Sequence, residues 1–402
     1  PIAAPTAAPP AAPPARRPAR GALRRLALAV HRWVGLTAGA VVAVVGLTGS
    51  LYVFAPELSA ALAPDLLRPA GASPALDARE IVRRVEAATG GTVESVQWPL
   101  RERTSYQLKL FDRDDWLYVH PATGAVLGRD VDRATLRAVA WVLEVHTSLT
   151  LGDVGYRVTG ASALALALVL VSSGLWFWWP RRIAQLRPRL TVRWRDATAK
   201  RRVFDLHAVG GAWASAVLVV LALTGAYWSF PDAAQRLVDV LTRSAPTPVF
   251  PSDAADEPRS VAAPGAAPRT VAQLLDATDS LFPGHARRNL WMTRDSAGVV
   301  YLSWIREPRI AAGGEYRPMA WLDRYTGAPL RVHDPTRVPL GTRLTTVWLP
   351  PVHFGEVGGL PTRVLAFLGG LAPLALYVTG GLMWWRRRRA RDPRPAPPAR
   401  RR

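Results

Sequence analysis

Residues 207–230, HAVGGAWASAVLVVLALTGAYWSF, decide the fold: they form an apolar run that opens with a histidine. Residues 31–54, HRWVGLTAGAVVAVVGLTGSLYVF, align with this run at a shift of 176 positions. The shift places His31 on His207, repeats a Leu-Thr-Gly triplet and ends both runs on phenylalanine. An α-helix rises about 1.5 Å per residue, so each run covers the ~30 Å hydrocarbon core of a bilayer. The two runs predict two equivalent transmembrane helices.

Two further uncharged runs, 158–179 and 364–385, complete a set of four. A helix inside a soluble protein rarely stays free of charge over such a length. The sequence therefore predicts four transmembrane helices, preceded by a disordered leader that is rich in Pro and Ala. The predicted bounds are 1–25 for the leader, 26–54, 158–179, 208–230 and 364–385 for the helices, 55–157 and 231–363 for two long outer segments, 180–207 for a short loop and 386–402 for a basic tail.

The net charge of +21 is confined to three segments. Residues 1–32, 181–207 and 386–402 together hold 24 basic and 3 acidic residues, and the rest of the chain holds 27 of each sign. All three segments lie on one side of a four-span topology, which the positive-inside rule identifies as cytoplasmic. We expect a multi-pass protein of the inner membrane with both termini in the cytoplasm. Orientation in the lipid bilayer accounts for the charge, so nucleic acid is excluded as a partner.

Each long outer segment carries a small α+β pattern. In the first, residues 73–91 are typical of an amphipathic helix and precede strand-like stretches with a turn at Thr123-Gly124. In the second, residues 269–284 form the helix and the matching turn lies at Thr326-Gly327. The chain is therefore predicted to be a duplicated helix–outer domain–helix unit. The expected fold is a membrane α-helical protein with two small α+β periplasmic domains.

Several of these segments carry a resemblance to a known family. The strands LYVHPATGAVLG and WLDRYTGAPL, with the segments LEVHTSLTLGDVGYRV and PPVHFGEVGGLPTRV, resemble the PepSY-associated transmembrane family of bacterial iron-regulated inner-membrane proteins. The similarity extends over roughly residues 20–390. It implies that the outer domains are PepSY-like and that the protein is a haem redox protein. Similar members include reductases that release iron from ferric siderophores.

Four of the seven histidines precede hydrophobic runs at equivalent points of the two halves. Ionisable side chains at membrane depth tend to be functional, and neutral imidazole is a common axial ligand of haem iron. Topology places His31 and His207 at the cytoplasmic end of the helices, and His146 and His353 at the outer end. These four predict two bis-histidine haem b sites, each joining one half of the chain to the other. For His120, His285 and His333 we expect a solvated or structural role.

The sequence contains no cysteine, which excludes disulfides, thiolate metal ligands and covalent attachment of haem.

Several other residues have two interpretations. The glycines of the membrane helices favour close helix packing, or they make room for a cofactor. Arginines near the pairs would bind haem propionates or reach the membrane surface, and nearby aromatic residues would contact the porphyrin or line the bundle. The arginines are Arg32, Arg157 and Arg363; the aromatic residues are Trp33, Trp141, Tyr156 and Trp213.

The predicted function is transmembrane electron transfer by a ferric-siderophore reductase-like oxidoreductase, which converts Fe³⁺ to Fe²⁺ at the periplasmic face. The sequence contains no dinucleotide fingerprint or P-loop, so a quinol or a separate cytoplasmic reductase is the expected electron donor. No side chain is predicted to act as a general acid or base. Two alternatives stay open: a non-redox, membrane-anchored regulator or inhibitor of peptidases, and a component of siderophore transport.

Overall fold

The computed structural model describes residues 19–101, 103–195, 197–245, 258–262, 265–295, 297–306 and 317–389. Residues 1–18 of the predicted leader and residues 390–402 of the predicted tail lie outside the described residues.

The helices are α1 (Ala19–Leu36), α2 (Ala38–Val53), α3 (Ala55–Leu62), α4 (Pro64–Leu67), α5 (Ala78–Thr89), α6 (Ala134–Ser148), α7 (Gly152–Ala165), α8 (Ser172–Trp178), α9 (Leu186–Arg189), α10 (Ala199–Ser229), α11 (Pro231–Thr242), α12 (Val271–Ala277), α13 (Leu340–Arg343), α14 (Leu349–Phe354) and α15 (Leu360–Arg389). The strands are β1 (Val93–Gln97), β2 (Tyr106–Leu110), β3 (Leu117–Val119), β4 (Val126–Arg129), β5 (Ala286–Met292), β6 (Val300–Ile305), β7 (Met319–Leu322) and β8 (Pro329–His333).

Within the described residues, three helices are long and apolar enough to cross a membrane. They are α10, α15 and the continuous helix Gly152–Trp178, in which a π-helical segment, Leu166–Val171, joins α7 to α8. The bent pair α1–α2 adds a fourth if it counts as one span. The helices pack around an apolar core, whose buried residues are Val42, Leu166, Ala167, Leu218 and Ala222.

Helices α2 and α15 approach each other through small residues. A Cβ added at Gly46 would collide with the carbonyl oxygen of Gly370. Nearby, the Ser50 hydroxyl donates to the carbonyl of Phe367 across the same contact, at 2.8 Å. Small residues let two membrane helices pack backbone against backbone, and a hydroxyl can then bond across the interface. Gly46 therefore serves helix packing.

The first span differs from the single helix predicted over 26–54. Its helix begins at Ala19, inside the predicted leader, and bends by 47° between α1 and α2. The residue at the bend is Thr37, whose amide and hydroxyl both donate to the carbonyl of Trp33, at 3.0 and 2.9 Å. The bend therefore lies where a threonine hydroxyl shares an intrahelical carbonyl with the backbone.

Helices α10 and α15 extend beyond their predicted bounds of 208–230 and 364–385. Helix α10 begins at Ala199, so His207 lies about two turns inside the helix and not at its start. The Thr198 side chain caps this end by accepting from the amide of Arg201, and the nearly buried Asp205 pairs with the Arg201 side chain at 2.9 Å. Polar caps and ion pairs thus continue the helix beyond the apolar run.

The eight strands form one antiparallel sheet in the order β4-β3-β2-β1-β5-β6-β7-β8. The first four strands come from the first outer segment and the last four from the second. The groups join where β1 pairs with β5, with Val96 opposite Leu290. The two α+β segments predicted as separate domains therefore share one sheet. Pairing β1 with β5 removes two exposed strand edges, which would otherwise be sites of aggregation.

One hydrophobic core serves both groups of strands, because α5 and α12 cover the same face of the sheet. Ile81 of α5 and Leu274 of α12 are fully buried in this core. Asp77 caps α5 by accepting from the Arg79 amide at 2.8 Å. The Arg79 side chain also pairs with Asp276 of α12 at 2.8 Å. Apolar burial and this exposed ion-pair network together hold the two helices side by side.

Two short helices, α6 and α14, lead into the outer ends of the bundle. Helix α6 ends at Ser148, and Leu149 and Thr150 adopt left-handed φ values of 52° and 61° before α7 begins. The break lies just before α7. Gly155, in the first turn of α7, packs closely against it, because a Cβ there would overlap the carbonyl oxygen of Ser148. It lets α7 fold back against the end of α6.

Candidate functional site

The structure brings His31 of α1 and His207 of α10 together as a pair, which we call the inner pair after its predicted position. Their ring centroids are 6.3 Å apart and the ring planes are inclined by 82°. Both side chains are half-buried. They come from different halves of the chain, as the sequence predicts for the cytoplasmic end.

His146 of α6 and His353 of α14 form an outer pair with the same spacing. Their ring centroids are also 6.3 Å apart, with the planes inclined by 50°. The ring of Trp228, near the end of α10, lies 5.0 Å from that of His353. His353 contacts α10 at Gly225, which lies about 27 Å along the helix axis from His207. The two pairs therefore lie near opposite ends of the bundle.

The spacing within each pair is that of two imidazoles on opposite sides of one metal ion. A metal–imidazole bond is about 2 Å long, and the bonding nitrogen lies about 1 Å from its ring centroid, so the two centroids lie about 6 Å apart. Among the described residues, no group of three or more His, Cys, Asp or Glu side chains could hold a metal ion. A metal at either pair would therefore have to arrive with a group that supplies its remaining ligands.

Each of the four rings is held at Nδ1. In the inner pair, His31 Nδ1 lies 2.7 Å from Ser173 Oγ. His207 Nδ1 lies 3.1 Å from the carbonyl oxygen of Leu376 and 3.0 Å from Thr379 Oγ1. In the outer pair, His146 Nδ1 lies 2.8 Å from the carbonyl oxygen of Val45, and His353 Nδ1 lies 2.9 Å from Thr224 Oγ1.

These partners define the tautomer of each neutral ring. A carbonyl oxygen only accepts, so Nδ1 carries the proton in His146 and His207. The hydroxyls of Ser173 and Thr224 lie closer to carbonyl oxygens of their own helices than to the imidazoles, and we therefore assign each as an acceptor from its histidine. Nε2 is thus left with its lone pair in all four rings. In the part of the chain that the structure describes, no hydrogen bond engages any of these Nε2 atoms, and each is available as a metal ligand.

Each ring also faces a glycine of a neighbouring helix. The closest approach is at Gly49, where an added Cβ would lie 2.5 Å from His146 Cε1. At each of the four positions the glycine directly follows Ser or Thr. The other distances from an added Cβ to the histidine Cε1 are 3.1 Å from Gly225 to His353, 3.3 Å from Gly380 to His207 and 3.5 Å from Gly174 to His31.

The sequence leaves two interpretations for the glycines of the membrane helices, close helix packing or room for a cofactor. The contacts show a different role for different glycines. Gly46 serves helix packing, whereas Gly49, Gly225 and Gly380 make room for histidine rings. Gly381 has nothing within 4 Å of the position of an added Cβ.

The inner pair shows a one-residue offset between the halves. The stretch VSSG, 171–174, aligns with VTGG, 378–381. His31 contacts the third and fourth residues of the first stretch, Ser173 and Gly174, whereas His207 contacts the second and third residues of the other, Thr379 and Gly380. The π-helical segment Leu166–Val171 leads into VSSG, whereas α15, described in full, is α-helical with Pro373 inside it. A π-turn accommodates one extra residue. It therefore rotates Ser173 and Gly174 towards His31.

A cavity of about 320 Å³ surrounds the outer pair. Both histidines line it, with mainly apolar walls from α2, α7, α10 and α15, and Tyr156 is among its polar residues. Ligand sites in proteins typically have volumes of ~300–1,000 Å³. A more open cavity of about 490 Å³ lies beside β4 and contains Arg113 and Asp132 but no histidine. Only the first of these two cavities adjoins the candidate ligands.

The arginines and tryptophans near the pairs have other contacts. Arg363 donates to Glu57 Oε2 at 2.8 Å, and this hydrogen bond lowers the pKa of the Glu57 carboxyl. Arg157 is exposed, and Arg32 lies over the ring of Trp33 at 5.4 Å. More than half of the surface of each of three tryptophans is exposed, so they face outward from the bundle; they are Trp33, Trp141 and Trp213.

The remaining histidines have local structural contacts. His120 closes a turn, since Nε2 lies 2.8 Å from the carbonyl oxygen of Ala70 and Nδ1 accepts from the Ala122 amide. His285 Nδ1 lies 3.3 Å from the carbonyl oxygen of Pro283. His333 is buried in β8.

Sequence reasoning missed the residues that hold the rings, namely Ser173, Thr224 and Thr379. The signal was a Ser-Gly or Thr-Gly dipeptide present in each of the four spans. In two spans it belongs to the repeated Leu-Thr-Gly triplet. A small residue beside a hydroxyl residue offers a hydrogen-bond acceptor next to an open space.

Comparison with known protein families identifies the family of this chain. Residues 28–387 match the family described as PepSY-associated TM region. No curated protein matches the chain.

Proposed function

The chain belongs to the PepSY-associated transmembrane family, and from this membership and the site geometry we propose that it is a haem-containing electron-transfer protein. Its proposed substrate is a ferric siderophore or a similar ferric chelate, reduced from Fe³⁺ to Fe²⁺ at the periplasmic face of the inner membrane. The proposed cofactors are two non-covalent haem b groups. His31 and His207 would hold one, and His146 and His353 the other.

The repeated arrangement of the four histidines carries this proposal. Each ring is held at Nδ1, faces a glycine and lies 6.3 Å from its partner ring. Two neutral imidazoles at this spacing would hold one iron through their Nε2 atoms. A hydrogen bond at Nδ1 fixes the orientation of a metal-binding imidazole. A histidine with only a packing role would require neither a free Nε2 nor a second ring at this distance.

The lining of the cavity at the outer pair suits a mainly apolar cofactor. The cavity has mainly apolar walls, and the absence of cysteine leaves histidine ligation as the means of attachment. Haem, when bound, supplies one-electron redox chemistry.

The chain's own residues would hold the cofactors and exclude water. The hydroxyl and carbonyl partners orient the rings, while Val42, Leu166 and Leu218 form a dry core in the bundle. The two histidines of each pair would hold the iron and leave no position on it for the ferric chelate. Adding one electron to its Fe³⁺ breaks no covalent bond and requires no proton. We therefore assign no side chain as a general acid or base.

The distribution of charge supports the proposed orientation. Arginines are concentrated in the loop before α10 and at the end of α15, which we assign to the cytoplasm. The sheet lies at the opposite ends of the spans, which we assign to the periplasm. On this assignment the outer pair is closer to the chelate. A quinol or a separate cytoplasmic reductase would supply electrons at the other side.

A sided assay in membrane vesicles tests this function. Right-side-out vesicles are loaded with dithionite, washed, and mixed with an impermeant ferric siderophore and an impermeant Fe²⁺ indicator. We expect Fe²⁺ to form outside faster than in vesicles that lack the protein. The His353→Ala variant should show only the background rate, because the outer pair would be lost. His333→Ala, in the sheet, is the matched control and should retain the wild-type rate.

The same vesicles in inverted orientation check the direction of transfer. The siderophore then meets the cytoplasmic face, and we expect slower formation of Fe²⁺. Equal rates for wild type and His353→Ala in right-side-out vesicles would remove the outer pair from the path. Faster reduction in inverted vesicles would reverse the assigned orientation.

A further inference from the structure

Two threonines at equivalent positions of the repeat make different contacts. Thr48 and Thr224 belong to the Leu-Thr-Gly triplets that align at the shift of 176. Each hydroxyl donates to the carbonyls three and four residues earlier in its own helix. Thr224 Oγ1 also lies 2.9 Å from His353 Nδ1. The corresponding ring, His146, bonds the carbonyl oxygen of Val45 and not the hydroxyl of Thr48.

The inner pair contains a similar contrast between adjacent serines. Ser172 and Ser173 both donate to carbonyls one turn earlier. Only Ser173 also meets a histidine, at 2.7 Å from His31 Nδ1. His31 is therefore held at Nδ1 by a side-chain hydroxyl alone. His353 has the Thr224 hydroxyl together with the backbone carbonyl of Leu221, and the partner rings His207 and His146 each have a backbone carbonyl as acceptor. A substitution can remove the hydroxyl but not the carbonyl.

We infer that Thr224 and Ser173 are positioning residues that tune the outer and the inner haem separately, through the Nδ1 protons of His353 and His31. The inference rests on the proposed function, because it requires that the two rings ligate iron. Neither residue touches the iron or the ferric substrate. Each acts through the ring that it holds.

The direction of the effect follows from the hydrogen bond. A donor bond from Nδ1–H makes the imidazole more basic, and a more basic ligand favours ferric over ferrous iron. Removing the acceptor should therefore raise the reduction potential of that haem alone. Loss of a side chain that hydrogen-bonds a metal ligand typically weakens metal binding ~10–100-fold. A tenfold loss of preference for the ferric state corresponds to about 59 mV for one electron.

The test is a spectroscopic redox titration of purified full-length variants. Thr224→Val keeps the size of the side chain and removes the hydroxyl acceptor while the Leu221 carbonyl stays, so the potential of the outer haem should rise by less than the ~59 mV of a tenfold effect. The inner haem should keep its potential. Thr48→Val is the matched control, and both haems should keep their wild-type potentials. Thr224→Ser restores a hydroxyl and should return the outer haem to the wild-type value.

Ser173→Ala and Ser172→Ala repeat the test at the inner pair. Ser173→Ala should raise the potential of the inner haem alone, and Ser172→Ala should change neither. Equal shifts in Thr224→Val and Thr48→Val, or none in either, would overturn the inference. Failure of Thr224→Ser to restore the potential would also overturn it. Wild-type protein without haem would instead refute the proposed function, so the two failures are distinguishable.

Discussion

Replacing either histidine of the inner pair by alanine should remove one of the two proposed haems and leave the other in place. His31→Ala and His207→Ala should each lose the same spectral component, because a single ligand cannot keep the iron six-coordinate. The double variant should lose little more than either single one. His146→Ala and His353→Ala should both lose the other component.

The reduced-minus-oxidised absorption spectrum, recorded with the haem content per chain, measures these losses. His333→Ala serves as the control, since this buried histidine lies in β8, away from both pairs. Because each pair joins the two halves of the chain, His31→Ala and His146→Ala should lose different spectral components. If His31→Ala and His146→Ala lost the same component, the ligands would pair within one half, contrary to the 6.3 Å contacts.

Gly49→Ala should abolish binding of the outer haem although it adds only one methyl group. Its Cβ would lie 2.5 Å from His146 Cε1 and 2.8 Å from Nδ1, so the ring must move. The ring is held by its 2.8 Å bond to the carbonyl oxygen of Val45, and moving it breaks that bond or displaces Nε2. Overpacking of this kind typically costs ~1–3 kcal/mol.

A graded series of glycine variants separates this effect from a general loss of stability. Alanine at Gly225 would place Cβ 3.1 Å from His353 Cε1, so we expect partial loss of the outer haem. Gly381→Ala is the control, because nothing lies within 4 Å of its added Cβ. Alanine in a helix interior is usually favoured over glycine by ~0.5–1 kcal/mol, so this variant should be at least as stable as wild type. Haem content and thermal unfolding are measured on all three. Equal haem loss in Gly49→Ala and Gly381→Ala would contradict the account.

Much of this site could be predicted from the sequence, because its pairing is a matter of topology. The repeated run fixed the relation between His31 and His207, and an even number of spans placed His146 and His353 at the opposite end. Neither step required side-chain detail. The structure places both pairs at 6.3 Å, whereas the haem ligation of these residues stays a prediction.

Other features could not be predicted because they depend on contacts between distant residues or on local geometry. The pairing of β1 with β5 joins residues almost two hundred positions apart, and alternating hydrophobicity within each strand does not identify a partner. The bend lies at Thr37, and composition does not distinguish this residue from Thr48, which makes the same kind of bond inside an unbroken helix. The choice of Ser173 over Ser172 depends on the π-helical segment before them. A simple repeat alignment therefore selects the wrong serine.

The most direct test of the central claim is the haem content of wild-type protein, purified in detergent from cells supplied with haem. The account predicts two haem b groups per chain, both extractable because they are non-covalent, with the spectrum of six-coordinate bis-histidine iron in both oxidation states. Colourless protein that is folded and retains its membrane helices would contradict the account. The four histidines would then be structural, and a non-redox role of the outer segments would have to explain the family's fold.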